Sequence, residues 1–130
     1  NKLKNLISDL KLENRVKFSP AIYQIKEKIA KIDSAKIFVL PSLREGLPQS
    51  LMEAMARERI VISSDNEGSR PLIQEGKNGY LFKISNAKDL AKKIDLAVNA
   101  SSALGKNAKK SMERFSWHAV IKKLERVITS

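Results

Sequence analysis

The 130-residue sequence contains no cysteine and a single histidine. A disulfide framework, a thiolate metal site and a cysteine nucleophile are therefore excluded, and a reducing compartment such as the cytoplasm is the natural setting. Five glycines and four prolines are too few for a collagenous or low-complexity chain. One tryptophan, two tyrosines and four phenylalanines give little material for stacking nucleic-acid bases, and Phe18, Phe38 and Phe82 fall in apolar runs rather than among arginines. The longest charge-free runs, such as residues 37–43, are far short of the roughly 20 residues that span a bilayer.

What is present is a composition of 42% hydrophobic and 30% charged residues, enough to bury one compact core. The chain begins at Asn1 rather than a methionine, which suggests a single domain, residues 1–130, cut from a longer protein. The net charge is +11 and is unevenly spread. Residues 1–40 hold nine basic and four acidic side chains, residues 41–85 six of each, and residues 86–130 ten and four. The basic flanks suit a solvated surface or an anionic membrane surface better than nucleic acid.

Apolar spacing predicts helices over residues 2–12, 22–32, 87–98, 103–114 and 117–128, with Asn86 and Ser116 as N-caps. Short apolar runs predict strands at residues 15–18, 36–40, 60–63 and 80–82. Pro48 suits the first turn of a helix that reaches about Arg57, and residues 71–75 read as a short helix. Met52, Met55 and Met112 read as core filler. Trp117 reads as an apolar anchor and His118 as a surface or packing residue. Alternation of this kind argues for an α/β fold, a Rossmann-like parallel sheet with helices on both faces followed by C-terminal helices.

Ligands in such sheets bind beyond the carboxyl ends of the strands. The richest candidate loop follows the strand at 36–40 and runs from Pro41 to Ser50. It opens a helix whose first amides, near Gln49, Ser50 and Leu51, together with the helix dipole, form an anion site. Gly46 lets the backbone approach a ligand closely. Glu45 precedes the helix, and Glu53 lies on its second turn, where a carboxylate can accept two hydrogen bonds from a vicinal diol such as a ribose. The same two glutamates also suit helix-start electrostatics and a solvated helix face. No cluster has metal-ligand spacing.

An ordered series of motifs narrows this reading. Pro41-Ser42, Glu45-Gly46, Glu53-Ala54-Met55-Ala56, Ser64-Asp65 and Asn78-Gly79-Tyr80 follow one another, with Asn14-Arg15-Val16-Lys17-Phe18 upstream and Phe115-Ser116-Trp117 downstream. The series resembles the donor-binding, C-terminal domain of family 4 (group 1) glycosyltransferases, including their E-x7-E motif, over nearly the whole chain.

The resemblance implies half of a GT-B fold and a role in polysaccharide biosynthesis. The chain would be the nucleotide-sugar-binding part of a retaining enzyme that transfers a hexosyl group to a glycan or lipid-linked acceptor. It implies that Glu45 lies near the transferred sugar as the catalytic carboxylate and that Glu53 binds the ribose. Gly46, Leu47, Pro48, Gln49, Ser50 and Leu51 would then approach a UDP- or GDP-sugar donor, with no cofactor and no metal. Absence of the acceptor domain, and of the basic pair that neutralises the diphosphate, leads us to expect no sugar transfer by these residues alone. A cytoplasmic location, peripheral at the inner membrane face, fits lipid-linked acceptors. The sequence departs from the family pattern at Pro20, Glu58, Ile60 and Pro71, and the non-glycine Glu58 implies that its helix ends differently. The rival reading is a non-enzymatic basic module that keeps the fold and attaches to anionic lipid or another polyanion.

Overall fold

The computed structural model describes residues 1–129. Three parallel strands form the sheet in the order β1 (Ile37–Leu40), β2 (Ile60–Ser64), β3 (Tyr80–Phe82). Ile37 pairs with Ile60 and Leu40 with Ser63, while Ile62 pairs with Tyr80 and Ser64 with Phe82. Two helices precede the sheet, α1 (Lys2–Asp9) and α2 (Ile25–Ser34). α3 (Gln49–Ala56) connects β1 to β2. After β3 come α4 (Ala87–Val98), α5 (Ala103–Met112), a 3-10 turn (Glu113–Phe115) and α6 (Trp117–Thr129).

Strand alternation sorts the core into two layers, because successive side chains point to opposite faces. Phe38, Leu40, Val61 and Leu81 pack with Leu51, Ala54 and Met55 of α3 and with Ala108 and Met112 of α5. Ile37, Val39, Ile60, Ile62, Tyr80 and Phe82 pack with Leu90, Ile94 and Ala97 of α4 on the other face. β2, flanked by strands and covered on both sides, is therefore the most buried of the three. The expected α/β class, with a parallel sheet and helices on both faces, holds. Met55 and Met112 are core residues, with Met52 packed against them. Asn86 accepts a hydrogen bond from the Asp89 amide at 2.9 Å, and Ser116 Oγ accepts one from the Ala119 amide at 3.2 Å, so both expected caps form.

Several expectations need correction. Residues 15–18 are not a strand: they pair with no other strand among the described residues. The Arg15 and Val16 amides instead donate back to the Leu12 carbonyl at 2.8 and 3.0 Å. Residues 71–75 are not a helix: 71–72 form a turn and Glu75 bridges Gly79, while the Asn78 side chain takes backbone groups that helix bonds would use. Its Oδ1 accepts from the Gln74 amide at 2.7 Å and its Nδ2 donates to the Leu72 carbonyl at 3.0 Å. Trp117 is no buried anchor; it starts α6 and is 82% exposed.

The last correction concerns Glu58. α3 does end in the left-handed turn usually given to glycine, with Glu58 at φ 60°. The Glu58 amide donates to Met55 O and the Arg59 amide to Ala54 O, both at 3.0 Å, which satisfies two carbonyls at the helix end. A glycine elsewhere completes the arrangement. A Cβ on Gly105 of α5 would sit 2.2 Å from the Glu58 carbonyl oxygen, so α5 packs against this turn only without one.

Holding a side-chain-bearing residue at positive φ is costly, and glycine removes that cost. Glu58→Gly should therefore stabilise the fold by about 1 kcal/mol, less whatever the exposed Lys109–Glu58 ion pair contributes. Denaturant unfolding measures this, and a midpoint below that of the parent would contradict it.

Candidate functional site

The carboxyl ends of β1 and β2 lie side by side, so the loops leaving them share one edge of the sheet. The β1 loop carries Glu45 and leads into α3. Pro48 is buried and stands one residue before the helix, as its N-cap rather than in its first turn. With proline there, no side chain caps the helix start, and no acidic residue lies in the first turn. The Ser50 and Leu51 amides thus face the N-terminal end with the positive pole of the helix behind them. Leu51 itself is fully buried, so only its backbone can serve a ligand. Gly46, Leu47 and Gln49 are exposed, and Ser50 is half-buried.

The β2 exit fixes the shape of this loop. Ser63 and Ser64 at the end of β2 each donate a hydroxyl to the Leu40 carbonyl, at 3.3 and 3.4 Å. Asn66 Nδ2 donates to the Ser42 carbonyl at 3.1 Å, while its Oδ1 accepts from the Ser69 amide at 2.9 Å. Ser63 and Ser69 share a buried hydroxyl contact of 2.7 Å. Gly68 touches the loop backbone itself: a Cβ there would lie 2.4 Å from the Glu45 carbonyl oxygen. The sequence marks residues 64–70 as a candidate ligand loop, but it does not single out Ser63, Asn66, Gly68 or Ser69 as a brace. The available signal was a cluster of small and amide side chains closing an otherwise apolar strand.

Glu45 and Glu53 do not share a pocket. Glu45 lines a cleft of about 500 Å³ together with Arg44, Asp65, Asn66, Glu67 and Arg70. Within it, Arg70 Nε donates to Asp65 Oδ1 at 2.8 Å. Glu53 faces a second cleft of about 310 Å³ between α2 and α3, walled by Ile25, Ile29, Ile32 and Ala56. There Lys28 of α2 reaches across, its Nζ 2.9 Å from Glu53 Oε1 and 2.7 Å from Oε2.

Further bonds tie α2 to the end of α3. Arg57 pairs with Asp33 through both carboxylate oxygens, and Arg59 Nη1 donates to the Asp33 and Ala35 carbonyls, each at 3.1 Å. The hydrogen bond from Arg57 draws the Asp33 carboxyl below its ordinary value near 3.8, and the same bond raises the Arg57 guanidinium. Their ion pair is therefore complete through the neutral range and, on the acid side, is lost as the pH falls through the lowered Asp33 value.

The bracing gives a clear expectation. Asn66 is buried and holds both exit loops, so Asn66→Ala should destabilise the fold by about 1–3 kcal/mol. It should also speed amide hydrogen exchange in residues 42–46. Glu67→Ala, one residue on but exposed, should do neither. Unchanged exchange in residues 42–46 of Asn66→Ala would show that the brace is not needed.

The family profile described as "Glycosyl transferases group 1" matches residues 1–114. Over 80 residues the chain is 40% identical to the N,N'-diacetylbacillosaminyl-diphospho-undecaprenol alpha-1,3-N-acetylgalactosaminyltransferase of Campylobacter jejuni, covering 59% of this chain and 21% of that enzyme. A crystal structure of a Staphylococcus aureus TarM variant, in complex with fondaparinux, alpha-GlcNAc-glycerol and UDP, superimposes with a TM-score of 0.82 at 28% identity. That match covers 99% of this chain and 27% of TarM. The C-terminal domain of the group 1 glycosyl transferase LpcC from Francisella tularensis shares the fold, with a TM-score of 0.78 at 24% identity over 86% of this chain and 59% of that one. The chain thus spans about a quarter of the length of the curated relatives it matches. It belongs to the group 1 glycosyl transferases, and its fold is that of the C-terminal half of their GT-B architecture.

Proposed function

We propose that this chain is the nucleotide-sugar-binding part of a retaining glycosyltransferase that moves a hexosyl group to a glycan or lipid-linked acceptor. The observation that carries the reading is the uncapped start of α3, held at the sheet edge by the β2 exit, with Glu45 just before it and Glu53 on its second turn. As the bond from the sugar to the diphosphate breaks, negative charge grows on the leaving phosphate. Fixed amides at a helix start stabilise that charge without reorganising. Glu45 would orient the sugar, and Glu53 would accept hydrogen bonds from the ribose hydroxyls. UDP in the TarM complex favours a uridine diphosphate donor.

The two carboxylates should fail differently, consistent with their separate clefts. Glu53→Ala should lose about 1.5–3 kcal/mol of affinity for UDP and for a UDP-sugar alike, because both carry the ribose. Glu45→Ala should spare UDP and weaken only the UDP-sugar. Titration calorimetry with both ligands checks this. Tight UDP binding by Glu53→Ala would remove the ribose assignment.

The membrane is the second partner in this reading. Among the described residues no helix is long and apolar enough to cross a bilayer. Lys88 and Lys92 of α4 and Lys106 and Lys110 of α5 are nonetheless exposed. Lys93 and Lys109 are partly neutralised by Glu75 and Glu58. Each free lysine adds up to about 1 kcal/mol near an anionic surface, and the Campylobacter relative is named for an undecaprenol-linked substrate. Vesicles containing phosphatidylglycerol should therefore retain the chain at low salt and release it at high salt, while neutral vesicles should not hold it. Equal behaviour with both would return the lysines to simple solvation, and with it the location at the inner membrane face would fall.

A further inference from the structure

The surroundings of Glu53 carry a feature that ribose binding does not explain. Its carboxylate is chelated by one ammonium: Lys28 Nζ stands 2.9 Å from Oε1 and 2.7 Å from Oε2. Only the Oε1 contact has the direction of a hydrogen bond. Oε2 is shielded from solvent and has no hydrogen-bond partner. The ammonium therefore compensates the charge on Oε2 without giving it a directed hydrogen bond, which a ligand hydroxyl would supply. Yet a vicinal diol needs both oxygens, and the ammonium stands within 3 Å of each.

We infer that Lys28 competes with the donor's ribose for the Glu53 carboxylate and thereby sets the affinity and hydroxyl selectivity of the nucleotide site. The inference rests on the ribose role proposed for Glu53. The side chains of Lys28 and Glu53 are 43% and 42% exposed, so their ion pair is weakly held and the flexible lysine stem can swing away. The cleft beside the pair, walled by Ile25, Ile29, Ile32 and Ala56, gives an entering ring an apolar surface. Nothing in this arrangement stops binding; it subtracts from it. The subtraction falls only on ligands that use Glu53, so a nucleotide lacking a ribose hydroxyl gains less when the lysine is removed.

The test is calorimetric binding of UDP and of 2′-deoxy-UDP to the 130-residue chain, to Lys28→Met, to Glu53→Gln and to the double variant. Lys28→Met should bind UDP about two- to fivefold more tightly and should prefer it to 2′-deoxy-UDP by a wider margin than the parent does. Both effects should vanish in the Glu53→Gln background. Lys28→Arg, which keeps the charge and the pair, should behave as the parent. Weaker UDP binding by Lys28→Met, or an unchanged ratio between the two nucleotides, overturns the inference while leaving the ribose role of Glu53 intact. Undiminished UDP binding by Glu53→Gln, or no UDP binding by the parent chain, overturns the ribose reading itself and the inference with it.

Discussion

The contact between two strand exits governs this structure. Parallel pairing sets the carboxyl ends of β1 and β2 next to each other, but adjacency alone leaves the β1 loop free to take many shapes. Its shape is set by groups from β2: hydroxyls on the Leu40 carbonyl, the Asn66 amide on the Ser42 carbonyl, and Gly68 against the Glu45 backbone. The start of α3 and the position of Glu45 follow from that brace. Packing on the other side of α3 then follows from its apolar stripe of Leu51, Ala54 and Met55, which anchors the helix on the sheet.

Electrostatics divides the same helix. Its N-terminal end has neither a capping side chain nor an acidic residue in the first turn, and so is left open to an anion. Further along, Glu53 of the helix and Arg57 just past its end meet Lys28 and Asp33, which bind α2 to it through two ion pairs of opposite orientation. These pairs are half-exposed, so each adds little stability. Their effect is positional: they set α2 beside the cleft that Glu53 faces.

How much of this was legible in the sequence depended on whether the deciding interaction was local. The three strands and the Asn86 and Ser116 caps rest on periodicity and on neighbours two or three residues away, and each forms as read, while α3 starts one residue later than read, with Pro48 as its N-cap. The misreadings share a different cause. Residues 15–18 have strand-like side chains, but a strand requires a partner, and their amides turn back to Leu12. Residues 71–75 lost their helix to the Asn78 side chain. Trp117 reads as an apolar anchor, but an anchor requires a surface to face it, and Trp117 is 82% exposed. The candidate site was legible as the Glu45–Glu53 spacing around a helix start. Its brace was not, because close approach of Gly68 to Glu45 is a tertiary fact, and neither was Lys28, which lies 25 residues from its partner.

The central claim is that a nucleotide-sugar binds where the β1 exit meets the start of α3. Mapping backbone amide shifts of the isotopically labelled chain during titration with a UDP-sugar tests it most directly. The account predicts that the Gly46, Gln49, Ser50 and Leu51 amides move first and furthest, with Glu53 and Lys28 responding as the ribose settles. Shifts confined to the lysine-bearing faces of α4 and α5, with the start of α3 unmoved, would contradict it.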